Sequence, residues 1–395
     1  MKKILLISLI SINLLASKQT LIDIEPAKVF YVNFEKENCN DKCLRTLLQN
    51  GLYISYLARF DSNDETLNKI YKKLINGIDY LDELNVLDNK TTMNDNIKIA
   101  IIIPEKVIKS YSQNIISPVI AYLISKKQNV YVKTYFTQDE NEQNIEPIID
   151  ELNNYSLIIT GYQNDGIRIL NKYINNIPVF NPLAKANNFE NISSNYTFGS
   201  IDYNEQVAQL LNIANEKIAV FKDNSKLAND ISNKISNQTN ISYERTIDSK
   251  NLNVNSVISG SLNNSSIFFN IPLIKTTLVA TQIRALGIRP RMYLSTQINY
   301  HPMFLNLSQE NERSMFYFAN SIGEINDNIE YLNDILGQKI AYNWIAYSTS
   351  VGLDYYYNKL YSKEENRLFK DDFLGNSIHF NVRIMNSKNS KFSEQ

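Results

Sequence analysis

Few residues in this chain are of the types that perform covalent or metal chemistry. The cysteines are Cys39 and Cys43, in the segment CNDKC, and the histidines are His301 and His379. The histidines lie far along the chain from the cysteine pair and no second pair exists, so the spacing does not fit a zinc site. The sequence also has no G-x-S-x-G elbow, no H-E-x-x-H motif and no glycine-rich phosphate loop. We therefore expect a protein that is not an enzyme and that has no resident cofactor or metal.

The first seventeen residues have the layout of a secretory signal peptide. MKKILLISLISINLLAS places Lys2 and Lys3 before a short apolar run that ends in Ala16 and Ser17. The run is too short to cross a membrane comfortably. We expect residues 1–17 to be a signal peptide and the processed protein to be periplasmic and not an integral membrane protein; the alternative is that the segment is retained as an anchor. The formal charge of −1 shows no excess of positive charge, which argues against a nucleic-acid partner.

Cys39 and Cys43 are predicted to form a disulfide. An exported protein folds in an oxidising compartment, where two thiols that are close in sequence can pair. Residues four apart on a helix lie near enough for a bridge only with some distortion of the helix. The alternative is a pair of reduced cysteines.

Residues 18–95 are predicted to form a small N-terminal helical module. Apolar residues recur at helical spacing over about 41–60 and again over about 63–85. These apolar stripes are interpreted as the core of the module, because two short helices gain stability mainly by packing on each other. The polar segment DNKTTMNDN (88–96) is predicted to be a linker to the rest of the chain.

Predicted strands and helices alternate through the rest of the sequence. The segment NIKIAIIIPEK (96–106) contains a largely β-branched run that Pro104 ends, which is typical of a parallel strand buried on both faces. A first series of strands and helices continues to about residue 180, and a second series extends from about 217 to 296. Two such series predict two α/β lobes with parallel sheets and right-handed crossovers.

The order of these elements resembles the type I periplasmic-binding fold. The resemblance is carried by the opening IKIAIIIP, the helix NIISPVIAYLISK ahead of NVYVKTYF, the lobe junction FGSIDYNEQVAQLL (198–211) and the ending FLGNSIHFNVRI (373–384). With a helical N-terminal region in front, the chain is similar to the penicillin-binding protein activator family, whose C-terminal domain has this fold. The resemblance implies an α/β fold class, with a two-lobed type I periplasmic-binding-like domain over 96–390 after the helical module.

The same resemblance implies where the chain passes between the lobes. Lobe 1 would contain about 96–200 and 321–360, and lobe 2 about 201–320 and 361–390. A long helical stretch over 324–361 would return to lobe 1. The final alternating segment SIHFNVRI would add an antiparallel edge strand to lobe 2.

A ligand of an open α/β domain binds between the lobes, outside the carboxyl ends of the strands. The candidate ligand-binding residues at these ends are Gly161, Tyr162, Gln163, Asn181, Tyr203 and Asp223. The same rim also includes Pro104, Glu105, Pro182, Asp202, Asn224 and Asn270. The alternative is that these residues only cap helices and turns. His301, before Pro302, is interpreted as a turn residue.

Amino-acid receptors of this fold hold the ligand carboxylate with a Ser or Thr pair and with backbone amides at a helix N-terminus. This sequence offers no such pair at the matching place, because the loop after the strand at 156–160 contains Gly161, Tyr162 and Gln163. The crevice is therefore expected to take at most a small polar ligand.

The chain contains 25 tyrosines, several of them clustered near the C-terminus. Tyr355, Tyr356, Tyr357 and Tyr361 lie in LDYYYNKLY, and MFYFAN (315–320) is a second aromatic run. Tyrosine provides large contact area with a polar tip, so we interpret both clusters as candidate protein interfaces. The alternative is that these rings fill the core.

Together these features favour a non-enzymatic periplasmic interaction or scaffold protein. The resemblance to the activator family implies a role in cell-envelope machinery, as a regulator of peptidoglycan synthesis with envelope proteins as partners. One alternative is a solute-binding receptor of an ABC transporter. Another is a periplasmic structural component of a flagellar motor or secretion assembly.

The predicted disulfide has a direct chemical test. We expect a thiol-specific label to leave the denatured, unreduced protein unmodified and to modify both Cys39 and Cys43 after reduction. The bridge should stabilise the protein by less than the roughly 3 kcal/mol of a fifteen-residue ring, because it closes a much shorter one. Labelling of both cysteines before reduction would contradict the pairing.

Overall fold

The computed structural model describes residues 32–33, 39–49, 52–82, 97–126, 130–247, 257–362 and 366–395. These residues all belong to one compact unit, Tyr31–Gln395. The signal peptide predicted over 1–17 and the linker predicted over 88–96 lie outside the described residues. Within the described ranges, no helix combines the length and the apolar character needed to cross a membrane.

The described helices, in chain order, are α1 (Asp41–Gln49), α2 (Tyr53–Ala58), α3 (Glu65–Asp82), α4 (Glu105–Ile108), α5 (Gln113–Lys126), α6 (Glu142–Ile145), α7 (Ile149–Leu152), α8 (Asn164–Tyr173), α9 (Tyr203–Ile213), α10 (Lys226–Ser236), α11 (Leu273–Ala285), α12 (Met303–Leu307), α13 (Glu310–Arg313), α14 (Asp327–Ile335) and α15 (Trp344–Tyr361). The described strands are β1 (Val32–Asn33), β2 (Ile97–Ile103), β3 (Val130–Phe136), β4 (Leu157–Thr160), β5 (Val179–Asn181), β6 (Tyr196–Phe198), β7 (Ile218–Lys222), β8 (Ile241–Thr246), β9 (Ser266–Asn270), β10 (Met292–Ser295), β11 (Phe316–Asn320), β12 (Asp372–Leu374), β13 (Ser377–His379), β14 (Arg383–Asn386) and β15 (Ser393–Glu394).

The first three helices form the predicted helical module. Leu44, Tyr56 and Leu67, one from each helix, are fully buried together, and burial of such side chains stabilises by about 1.5–3 kcal/mol each. A disulfide joins Cys39 and Cys43, whose Cα atoms are 5.2 Å apart. The cysteines flank the start of α1, so the bridge ties the chain entering the module to its first helix.

Lobe 1 is built on a mostly parallel sheet in the order β1-β3-β2-β4-β5-β6-β13-β12. The run predicted as a two-sided strand is β2, with β3 and β4 as parallel neighbours. Ile99, Ile101 and Ile103 point into one apolar cluster, and Ala100 and Ile102 into the cluster on the opposite face. Successive side chains of a strand alternate between faces, so a continuous apolar run requires helices on both sides.

Lobe 2 is built on a second sheet in the order β15-β14-β11-β10-β9-β7-β8. The strands from β8 to β11 are parallel, and β14 pairs antiparallel with β11. Phe221 on β7, Phe269 on β9 and Phe316 on β11 stack in a row, with ring centroids 5.7–5.8 Å apart. The aromatic run 315–320, interpreted from the sequence as an interface, contains strand β11, and its rings at Phe316 and Phe318 are fully buried.

The chain returns to lobe 2 later than expected. The sequence predicts that about 361–390 belongs to lobe 2, but the hairpin β12–β13 belongs to the lobe 1 sheet, where β13 lies parallel to β6. Only β14 and β15 join lobe 2. The segment SIHFNVRI therefore contains two strands in different sheets, because Phe380–Val382 between them passes from one lobe to the other.

The long helical stretch predicted over 324–361 is divided into α14 and α15. Gly337 has a φ of +77°, a left-handed conformation that favours glycine. Its backbone N–H donates to the Asp334 carbonyl and ends α14. Asn343 then caps the N-terminus of α15, because its Oδ1 atom accepts a hydrogen bond from the Ala346 N–H at 3.2 Å.

Asp354, in the middle of α15, is a fully buried carboxylate that holds the segment between α15 and β12 in place. It accepts hydrogen bonds from the Leu368 and Phe369 amides at 2.8 and 3.0 Å and from the Tyr122 hydroxyl at 2.7 Å. Lys126 lies 3.7 Å away. One side chain thus joins α5, α15 and the segment leading to β12.

We expect Asp354→Ala to lower the free energy of unfolding by about 3–5 kcal/mol, because it leaves buried donors and a cation without their partner. Urea denaturation followed by circular dichroism measures the change. Glu190→Ala, which removes an exposed loop carboxylate of the same lobe, is the matched control and should change stability by less than about 0.5 kcal/mol. Equal effects of the two changes would contradict the anchoring role.

The two lobes are expected to fold without the helical module. The module has its own apolar core, and each sheet has apolar clusters on both of its faces. A fragment of residues 96–395 would lose β1, a two-residue edge strand beside β3. We expect this fragment to be soluble and to unfold in one cooperative transition in urea. Aggregation or a broad, non-cooperative transition would show that the module covers part of the lobe 1 core.

Candidate functional site

A cleft lies between the lobes at the carboxyl ends of the lobe 2 strands. Its volume is about 880 Å³, within the range of about 300–1,000 Å³ found for small-molecule sites. Strands β7, β9 and β10 lead into lining residues Asp223, Asn270 and Gln297, while Tyr111 faces them from lobe 1. Parallel strands end at the same edge of a sheet, so the topology brings these three loops together.

Gln297 is held in one orientation at the floor of the cleft. Its side-chain Oε1 atom accepts a hydrogen bond from the Ser321 backbone N–H at 2.8 Å. The backbone N–H of Gln297 donates to Gln206 Oε1 at 2.9 Å. A backbone N–H can only donate, so the oxygen end of the amide must face Ser321. The Nε2 group therefore remains as a donor, and it is buried without a hydrogen-bond partner among the described residues.

Asn270 provides a second polar group at the cleft floor. The side chain is 1 % exposed and its Nδ2 atom donates to Ser232 Oγ at 2.9 Å. Its Oδ1 atom is buried and lacks a hydrogen-bond partner among the described residues. An unsatisfied buried polar group costs about 1–3 kcal/mol, so a molecule that offers it a partner gains a favourable contact.

Aromatic side chains from both lobes form the walls of the cleft. Tyr111 comes from lobe 1, Tyr203 begins α9 of lobe 2, and Trp344 begins α15. The Trp344 ring packs edge-on against Phe380, with centroids 4.3 Å apart. Burial raises the pKa of Tyr203 above its ordinary value. The phenol is neutral at neutral pH with or without that shift and can donate a hydrogen bond.

Asp223 and His301 lie at the edge of the cleft and hold local turns. The Asp223 Oδ1 atom accepts from the Ser225 N–H at 2.9 Å, and Ser225 in turn caps α10. His301 Nδ1 accepts from the Met303 N–H at 3.1 Å, as expected for a turn residue, and burial lowers the pKa of its imidazole. Within the described residues, no group of three or more His, Cys, Asp or Glu side chains could hold a metal ion.

Two of the candidates from the lobe 1 strand ends are part of the packing rather than of the cleft. Tyr162 is fully buried and its hydroxyl donates to Thr137 Oγ1 at 3.0 Å. Gly161 lies so close to its neighbours that an added Cβ would meet the Ile108 side chain at 2.6 Å. Neither residue lines the cleft, because both are packed into the sheet core, and their assignment to ligand binding stays an untested prediction.

Asn181 is also a structural residue. Its Nδ2 atom donates to the Thr160 and Tyr162 carbonyls, and its Oδ1 atom accepts from the Leu183 and Ala184 amides. The side chain is fully buried and both ends of its amide are engaged. Its place at a strand end therefore serves to fix the turn, and its assignment to ligand binding stays an untested prediction.

Gln163 is the remaining lobe 1 candidate, and it borders a second cavity. This cavity, of about 350 Å³, is lined by Gln163 and Asn164 at the start of α8, and it shares Tyr111 and Ile345 with the main cleft. The Gln163 side chain is exposed, but its backbone N–H donates to Glu140 Oε1 at 2.6 Å. The backbone N–H of Gln163 is thus hydrogen-bonded to a carboxylate of the same chain and is not free to bind a ligand.

The clustered tyrosines of α15 do not form an exposed surface. Tyr356 and Tyr357 are 4 % and 3 % exposed and belong to the lobe 1 core. Tyr355 stacks on Phe373 with centroids 3.7 Å apart, and Tyr361 is half-buried against the same core. The burial of these rings does not support an interface role, because α15 packs against α5 and against strands β4 and β5. The interface assignment of the four tyrosines stays an untested prediction.

Sequence reasoning found part of the cleft and missed its best-defined donor. Tyr203, Asp223 and Asn270 were predicted from the strand ends and line the cleft. Gln297 also follows the end of a strand, β10, so its position carried the same signal as those of Tyr203 and Asp223. Trp344 and Glu140 had no local signal, because their roles depend on contacts with distant parts of the chain.

No protein-family model matches the chain, and no curated protein sequence matches it. Solved structures do. A Rhodospirillum rubrum protein described as a branched-chain amino acid ABC transporter has a TM-score of 0.59 at 10% identity, covering 76% of this chain and 100% of that one. The substrate-binding protein LivJ from Streptococcus pneumoniae, in complex with isoleucine, has a TM-score of 0.51 at 13% identity and covers 76% and 99%.

The match to LpoA from Haemophilus influenzae extends over more of the chain. It covers 90% of this chain and 72% of LpoA, with a TM-score of 0.52 at 9% identity. LpoA is a penicillin-binding protein activator, so the predicted resemblance to that family is confirmed at the level of the fold. At these identities the matches establish architecture only. The chain has the two-lobed type I periplasmic-binding-protein fold.

Proposed function

We propose that this chain is a non-enzymatic periplasmic protein that binds a small polar molecule between its two lobes. The observation that carries the proposal is the cleft floor, where the Gln297 Nε2 and Asn270 Oδ1 atoms are buried without partners. A donor and an acceptor in one cleft, walled by aromatic rings, suit a ligand with both an apolar face and hydrogen-bonding groups. The neighbours that are solute-binding proteins, including LivJ with isoleucine, support this assignment.

Lobe closure would couple binding to a change in shape. Tyr111 and Leu227 lie on opposite sides of the cleft, 56 % and 43 % exposed. Closing the lobes on a ligand would bury these apolar surfaces and exclude water from the floor. Hinge closure of this kind is typical of two-lobed binding domains.

The second candidate is the interaction or scaffold role in cell-envelope machinery that the sequence favoured. The LpoA match supports it, because it covers 90% of this chain, more than the solute-binding matches do. The tyrosine clusters no longer support it, since α15 and β11 bury much of their aromatic surface. A scaffold needs no ligand in its cleft, so a search for stabilising ligands separates the two candidates.

We expect a thermal-shift screen of amino acids, small peptides, sugars and peptidoglycan fragments to reveal a stabilising compound. A ligand at a hundred times its dissociation constant adds about 2.7 kcal/mol to the free energy of unfolding. Asn270→Leu removes the free acceptor and should weaken binding by about tenfold or more, since a lost hydrogen bond to a buried group costs about 1–3 kcal/mol.

Asn224→Leu is the matched control, because Asn224 is exposed in the adjacent loop and does not line the cleft. Its affinity for the same compound should equal that of the unmodified protein. The absence of any stabilising compound, together with co-purification of an envelope protein with the full-length chain, would overturn the binding proposal in favour of the scaffold role.

A further inference from the structure

We propose that a second pocket, beside the segments that cross between the lobes, binds the ammonium group of a small amine, with the Asp371 carboxylate as its partner. The pocket has a volume of about 570 Å³, within the range found for small-molecule sites. None of its described lining residues lines the interlobe cleft. The proposal is therefore independent of the function proposed for the cleft.

The pocket is built from both lobes and from two of the segments that join them. Residues 323–326 follow β11 and lead to α14, and Asn381 lies between β13 and β14. Lobe 1 contributes Tyr347 of α15 and the segment that leads to β12, while lobe 2 contributes Glu394 of β15. A ligand in this pocket would thus contact residues of both lobes.

Asp371 is a half-buried carboxylate that lacks a cation of its own. Its Oδ2 atom accepts a hydrogen bond from the Tyr347 hydroxyl at 2.7 Å, and the described hydrogen bonds give Oδ1 no donor from another residue. Burial raises the pKa of this carboxyl group, because the charged form loses hydration, and the Tyr347 hydrogen bond only partly opposes the shift. An ammonium group would supply an opposite charge together with hydrogen-bond donors.

The arginines around the pocket have other partners. The Arg367 guanidinium donates to the backbone carbonyl of Asp371 at 2.7 Å and lies 3.9 Å from the Asp354 carboxylate. Arg383 donates to the Ile322 carbonyl at 2.5 Å. Neither forms an ion pair with the Asp371 carboxylate among the described contacts. That carboxylate therefore remains available to a cation that enters the pocket.

The other charges of the lining favour a cation over an anion. Glu324 and Lys370 are exposed, so water and salt screen their influence. Arg383 pairs with Glu394 at 3.4 Å. Asp371 is thus the lining charge that combines burial with the absence of a charged partner. A metal ion fits less well, because no group of three or more His, Cys, Asp or Glu side chains in the described ranges could hold one.

Apolar surface beside Asp371 suits the carbon chain of an amine. Ile325 and Leu368 line the pocket and pack against the lobe 1 core, where the Tyr347 side chain is almost fully buried. Gly323 lets the backbone lie against the Tyr347 phenol, since an added Cβ would meet its hydroxyl at 2.6 Å. One partly desolvated carboxylate beside a small apolar surface indicates a primary amine of a few carbon atoms.

Butylamine, butanol and butyrate are matched probes, since they have the same number of carbon atoms and carry a positive charge, no charge and a negative charge at neutral pH. In the full-length protein with isotope-labelled glycine, we expect butylammonium to shift the Gly323 amide NMR signal in a saturable manner. Gly337, which lines the interlobe cleft, should not follow the same titration. Neither butanol nor butyrate should shift the Gly323 signal.

Asp371→Asn keeps the shape of the side chain and removes its charge. We expect it to weaken butylammonium binding by at least about tenfold, as for loss of a charged hydrogen-bond partner. Asp372→Asn is the matched control, because it makes the same change at the adjacent, exposed residue of β12, which does not line the pocket. It should bind butylammonium like the unmodified protein. Equal affinities of the two variants would overturn the proposal.

Measurements on the unmodified protein decide the case in which Asp371→Asn does not fold. The absence of a saturable Gly323 shift with butylammonium, an equal response to butanol, or a Gly323 shift with butyrate instead would each overturn the proposal. A ligand screen of the interlobe cleft depends on other residues. Its failure would leave the amine site intact, and failure of the amine site would leave the proposed function intact.

Discussion

The hydrogen-bonded network of Gln206, Gln297 and Ser321 is the interaction on which the junction of the lobes and the cleft floor both depend. Gln206 is fully buried on α9, just after the first passage between lobes, and its Nε2 atom donates to Ser321 Oγ at 2.7 Å. Ser321 begins the second passage. Gln297, bonded to both, follows the end of β10 and lies at the cleft floor. Buried polar networks of this kind specify one arrangement because each partner left unpaired is costly.

Aromatic side chains provide much of the buried core of both lobes. Phe221, Phe269 and Phe316 stack in the lobe 2 core, and Tyr356 and Tyr357 of α15 belong to the lobe 1 core. These rings give each lobe a well-packed apolar interior.

The polar groups of the cleft define its chemistry by what they leave free. On the lobe 1 side, Asn181 and Glu140 accept hydrogen bonds from backbone N–H groups. On the lobe 2 side, Gln297 Nε2 and Asn270 Oδ1 have no hydrogen-bond partner among the described residues. The fold is shared with solute-binding proteins and with LpoA, and the difference between such roles therefore rests on a few loop side chains.

The sequence by itself determined the two α/β lobes, the helical module, and the approximate place of the cleft. Periodic apolar runs such as 97–103 report which faces are buried, and strand ends in a parallel sheet meet at one edge wherever the fold is correct. Only the tertiary structure decided which loop residues face that edge. Whether Tyr356 is core or surface, and whether Asn181 or Gln297 keeps a free amide, depends on partners that are distant in sequence. Local pattern carries no information about those partners, because side-chain hydrogen bonds and packing are satisfied in three dimensions.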